Sequence, residues 1–200
     1  QSDNEAKRML KRSLLTLAIL IAATLPAFAH LDPAEHGSFA AGFSHPLFGL
    51  DHILAMVAVG LWAAQQGGRA LWLVPAAFVG TMALGFAAAI AGMPLPLVEP
   101  VILASVIFIG IAIALALPVP TTAVAAMVGF FAFFHGHAHG GELGGAGAWE
   151  FAIGFILATA ALHAAGIGAG LVLARFSGKV LTRVAGAATA LGGLYLAIGG

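Results

Sequence analysis

The feature that most constrains this chain is a series of apolar stretches of the length a bilayer demands, about 20 residues each. They run over residues 45–66, 70–92, 98–117, 121–139, 149–175 and 180–199. The punctuation between them is short: Gln65-Gln66-Gly67-Gly68-Arg69, Met93-Pro94-Leu95-Pro96, Pro118-Val119-Pro120, a glycine-rich run over 140–147, and Ser177-Gly178-Lys179. Only 8% of the residues are charged, against about 25% in a soluble domain. Such a chain cannot clothe a globular surface against water. The expected fold is all-α: a polytopic membrane helix bundle with six transmembrane helices in one domain, residues 30–200.

Residues 1–29 read as a secretory signal peptide. Lys7, Arg8, Lys11 and Arg12 supply a basic start, residues 14–23 an apolar centre, and Ala27-Phe28-Ala29 a small-residue cleavage pattern. Cleavage there makes His30 the first mature residue; an uncleaved anchor helix gives the same topology. With His30 outside, six spans place the connections at 65–69, 118–120 and 175–179 inside. Arg69, Arg175, Lys179 and Arg183 lie on or beside those connections, and the outer ones carry no Lys or Arg, as the positive-inside rule requires. Gly166, Gly168 and Gly170, and Gly186, Ala190 and Gly193, are small residues of the kind that let membrane helices pack closely.

Charge and composition also exclude functions. Lys+Arg and Asp+Glu both count 8, so no basic field recruits nucleic acid. Cysteine is absent, which removes disulfides, thiolate metal sites and cysteine nucleophiles. No GxxxxGK[ST] pattern appears, so the chain carries no ATPase motif of that kind. The expected partners are membrane lipid and, through the histidines and carboxylates of its spans, a divalent metal ion; a homo-oligomer stays open.

Ionisable groups inside spans are costly and usually functional. The apolar run over 53–64 is 12 residues long, about 18 Å as helix, while the hydrocarbon core is roughly 30 Å thick. The first span must therefore borrow residues upstream, which draws Asp51 and His52 below the surface and leaves His45 near the interface. Topology then collects the polar groups. His45, Asp51 and His52 lie at the outer end of the first span, Glu99 at the outer end of the third, and His135, His139 and Glu142 at the outer end of the fourth. Glu150 opens the fifth span on the same side.

His135 and His139 are four apart and Glu142 follows at three, so one helix face carries all three, with His137 turned elsewhere. His45 and His52, seven apart, share a face if that stretch is helical. Paired His at i and i+4 is a recurring metal-chelating arrangement, and imidazole with carboxylate suits Ni²⁺, Cu²⁺, Co²⁺ or Zn²⁺. Plainer readings accompany each residue. His163, in mid-span, reads as packing or as a relay on the inner half of a path. His137 faces headgroups or a metal. Glu99 caps a helix start, and Met56 and Met82 are apolar filler. Glu35 and His36 read as surface residues, but a cleaved His30 could chelate through its amine and ring with Asp32, Glu35 and His36 nearby.

His45-Pro46-x-x-Gly49-x-Asp51-His52 and Phe134-His135-Gly136-x-Ala138-His139-Gly140-x-Glu142 resemble the two signature motifs of the HupE/UreJ family. The resemblance covers essentially the whole mature chain. It implies a nickel permease, with cobalt as the confusable ion, associated with hydrogenase or urease maturation and set in the bacterial inner membrane, motif side periplasmic. It carries the family's functional positions onto His45, Asp51, His52, His135, His139 and Glu142, and its acidic residue onto Glu99. Leu143-Gly144-Gly145 departs from the family pattern, which has a proline near this point; that bears on the outer loop, not the ligands.

The expectation is thus a non-enzymatic secondary transporter with no permanently bound cofactor, its metal being cargo. Two other classes are weighed beside it. A membrane zinc hydrolase lacks an HExxH and an obvious nucleophile here. A metal sensor or metallocentre assembly partner would bind without flux.

Overall fold

The computed structural model describes residues 38–142 and 147–199. His30, His36 and the signal-like segment lie outside them. Among the described residues there are seven helices and no strand: α1 (Ser38–Phe48), α2 (Leu50–Gln66), α3 (Ala70–Ile90), α4 (Val98–Leu115), α5 (Thr121–Glu142), α6 (Ala148–Ser177) and α7 (Val180–Ala197). Five of them, α3 to α7, are each long and apolar enough to cross a membrane. The protein is an all-helical integral membrane bundle.

The first span departs from expectation. It is not one helix over 45–66 but two, α1 and α2, bent by 82° at Gly49 and counting as a sixth span only when taken together. Pro46 sits inside α1 and cannot donate to a helical carbonyl. Gly49 has an ordinary extended backbone, φ −81° and ψ 116°, so the bend does not need glycine for its dihedrals. It needs it for room: a Cβ there would stand 3.0 Å from Asp51 Oδ1 and 3.1 Å from His52 Nδ1.

Two ends of the bundle are chemically distinct. At one, Gln65 Nε2 donates to the Ile113 carbonyl (3.0 Å) and Arg183 Nε to the Ala114 carbonyl (2.7 Å). These bonds tie α2 and α7 to the last turn of α4, where the Ile113 carbonyl also accepts from the Ala116 N–H. At the other end lie the α1–α2 bend, the end of α3 and the last turns of α5, with His137 Nε2 donating to the Met93 carbonyl at 2.7 Å. We call these the basic end and the histidine end.

Lipid offers no hydrophobic drive for helix association, so close backbone approach must supply the packing. A Cβ on Gly136 of α5 would collide with the Met82 carbonyl of α3, and one on Gly85 of α3 with the Phe133 carbonyl of α5. Gly60 and Gly166 interlock α2 with α6 in the same way, and Gly110 and Gly186 interlock α4 with α7. Of the small residues singled out in the sequence, Gly168 is the exception, with nothing within 4 Å of a Cβ built on it. The buried interior comprises Met56, Val59, Trp62, Phe78, Met82, Val128 and Phe155.

Gly136→Ala should therefore part α3 from α5. Overpacking of this kind costs about 1–3 kcal/mol or more, to be seen as a lowered Tm and loss of the monodisperse peak in detergent. Gly168→Ala should leave both unchanged.

Candidate metal centre

The site is built where three backbone segments meet at the histidine end. α1 brings His45 in its last turn. α2 brings Asp51 and His52 in its first turn, where the helix dipole favours the carboxylate. α5 brings His135 and His139, one turn apart, in its last turns. His45 is exposed, Asp51 half-buried, and His52, His135 and His139 buried.

The rings form a connected cluster. His139 lies 4.6 Å from His45 and 4.5 Å from His52, centroid to centroid, and His52 lies 5.2 Å from His135. Although the helix is broken between them, His45 and His52 still approach to 6.2 Å. Phe155 of α6 closes one side, 4.6 Å from His139. A series of imidazoles, with Phe155 against it, thus runs from exposed His45 to buried His135.

Hydrogen bonds fix which nitrogens carry lone pairs. Asp51 Oδ1 lies 3.1 Å from His52 Nδ1, so Nδ1–H donates to the carboxylate and Nε2 of His52 keeps its lone pair. That is the carboxylate–histidine pairing which orients metal-binding imidazoles. His139 Nε2 faces it at 2.6 Å and donates its proton to it. His135 is held from the other side: Ser105 Oγ donates to the Ile102 carbonyl at 2.6 Å and accepts from His135 Nε2 at 3.1 Å. Nδ1 of His135 is then the lone-pair nitrogen, and it is buried with no hydrogen-bond partner among the described residues.

The remaining expected residues divide. Glu99 and Glu150 stand exposed in the first turns of α4 and α6, at the histidine end but without a hydrogen bond or ion pair among the described residues. Glu142 is the last residue of α5, and its side chain lies outside the described part. His137 points away from the cluster, to Met93. His163 is buried in mid-α6, against Phe78 and not against the cluster. Among the described residues no three His, Asp or Glu groups stand ready to hold one ion; the lone pair of His52 is spent on His139, and a ring must turn to release it. Sequence reasoning missed Ser105 and Phe155. Ser105 had a signal, being the one hydroxyl in the apolar run of α4. Phe155 had none, since aromatic residues are common in such spans.

Known proteins share this sequence pattern. The chain is 45% identical over 182 residues to protein HupE of Rhizobium leguminosarum bv. viciae, an alignment covering 90% of this chain and 95% of that one. No solved structure matches the chain. The family model described as HupE / UreJ protein matches residues 17–196, both histidine motifs included, and the chain belongs to that family.

Proposed function

We propose that this chain is a permease that takes up Ni²⁺, with Co²⁺ as a second cargo, across the bacterial inner membrane to supply a hydrogenase or urease. The observation that carries the reading is the carboxylate-backed pair His52–His139 at one end of a membrane bundle. The histidine end faces the periplasm and the basic end the cytoplasm, the orientation that Arg69, Arg175, Lys179 and Arg183 favour.

Exposed His45 meets the ion first and hands it to His139, whose ring it touches. A cation held by the two Nε2 atoms requires His139 to carry its proton on Nδ1 instead and the rings to turn apart, so loading the site shifts a tautomer and leaves both imidazoles neutral. Asp51 holds the His52 tautomer and offsets the incoming charge. His135, its Nδ1 directed by Ser105, supplies the next nitrogen inward, and Glu142 and Glu99 select at the mouth. In this reading the motif residues are ligands of a cargo rather than of a catalytic centre, and the chain acts without enzymatic turnover. The signal segment, cleaved after Ala29, leaves His30 on the same periplasmic side.

Cells expressing the protein should accumulate nickel, read by elemental analysis. His52→Ala and His139→Ala at equal membrane levels should abolish the gain, and Asp51→Asn should lower it about 10–100-fold, as loss of an orienting carboxylate does elsewhere. His137→Ala should leave it intact. Unchanged metal content with verified wild-type protein would favour a sensor or assembly partner instead.

Acidity gives a second check. Ligation needs neutral imidazoles, and protons compete for the same lone pairs. Initial uptake into proteoliposomes at fixed free Ni²⁺ should therefore fall as the outer pH is lowered. A rate that rises in acid would count against histidine capture.

A further inference from the structure

Buried polar nitrogens are almost always partnered. His163 is 1% exposed, yet neither of its ring nitrogens has a hydrogen-bond partner among the described residues. His135, 0% exposed, leaves its Nδ1 in the same condition. The two rings flank one side chain: Phe78 lies 5.7 Å from His135 and 4.9 Å from His163, edge to face with the latter. Three unpartnered imidazole nitrogens on either side of a single phenyl ring are hard to explain as packing, since an apolar residue would fill His163's place without the desolvation penalty.

What lies beyond His163 adds the second observation. A cavity of about 370 Å³ is lined by His163 together with Leu71, Pro75, Ala160, Ala164 and Ile167. α6 runs from the histidine end to the basic end, so Ile167 lies one turn further toward the basic end. Leu71 and Pro75 belong to the first turns of α3, beside Arg69. The cavity thus adjoins His163 between α3 and α6 and reaches the first turns of α3. Pro75, on the cavity lining, has no N–H to give the Leu71 carbonyl. Apart from His163 the lining side chains are apolar, so that ring is the side chain able to make polar contact with an occupant.

We infer that His163 is a second cation-binding station, loaded from His135 past the Phe78 ring and emptying into the cavity on the basic side. The inference rests on the permease reading for the identity of its ion, Ni²⁺ or a similar borderline divalent cation, which a single imidazole completed by water binds weakly and releases readily. A transit path with an outer cluster and an inner single-ligand station separates capture from release.

The test pairs equilibrium binding of Ni²⁺ to purified full-length protein in detergent with Ni²⁺ influx into proteoliposomes. His163→Leu should hold one ion fewer per chain than the natural sequence and slow influx about tenfold or more, the scale of losing a metal-binding partner. His163→Cys introduces the sole thiol into a chain without cysteine. It should restore the bound ion and give a thiolate–Cd²⁺ absorption band. An unchanged ion count in His163→Leu, with no such band in His163→Cys, overturns the inference. Should the leucine variant fail to fold, the presence or absence of the band decides alone. Natural-sequence vesicles that admit no Ni²⁺, while His163-dependent binding persists, would sink the permease reading and leave the station standing.

Discussion

Everything at the histidine end depends on the backbone approach of α3 and α5. Gly136 sits against the Met82 carbonyl and Gly140 against that of Phe86, so the last turns of α5 are fixed by contacts between main chains. Each of these glycines comes directly after a histidine. The segment His135-Gly136-x-x-His139-Gly140 is therefore two stripes on one helix, one packing and one chemical. Membrane helices gain association energy from such close contact rather than from excluded water. The rigidity that places two imidazoles one turn apart comes from the glycines beside them.

The same economy of space governs the α1–α2 bend. An 82° change of direction at Gly49 swings His45 back over the cluster, so a residue two turns earlier in sequence becomes a neighbour of His139 on another helix. The bend also starts α2 at Leu50, which puts Asp51 in a first turn, where unpaired N–H groups and the dipole offset the cost of a carboxylate near lipid. One glycine thus serves the approach of His45, the helix start and the clearance that the Asp51–His52 pair requires.

Two classes of hydrogen bond then divide the histidines. His52 is oriented by a carboxylate and His135 by a serine hydroxyl. A charge-assisted partner raises the basicity of the ring it holds, while a neutral one sets its tautomer without that gain. His52 is thereby the charge-backed ring of the two and His135 the neutrally held one.

Much of this was legible in the residues alone. Hydropathy is a local property, and a bilayer of fixed thickness converts it directly into spans; the short connections and the placement of Arg69, Arg175, Lys179 and Arg183 then order them. That His45, Asp51, His52, His135 and His139 gather at one end comes from counting crossings. The break at Gly49 was not legible, because Pro46 and Gly49 mark a local weakness in a helix without dictating an 82° change of direction. Nor could sequence say that α4 would offer Ser105 to the cluster while Glu99 stood exposed, since that depends on the rotation of one helix about its axis. A uniformly apolar helix has no amphipathic stripe to betray which face turns inward. His163 shows the division most clearly. Its burial could be read from its place in a span, but the phenyl ring on one side of it and the cavity on the other exist only once α3 and α6 have packed.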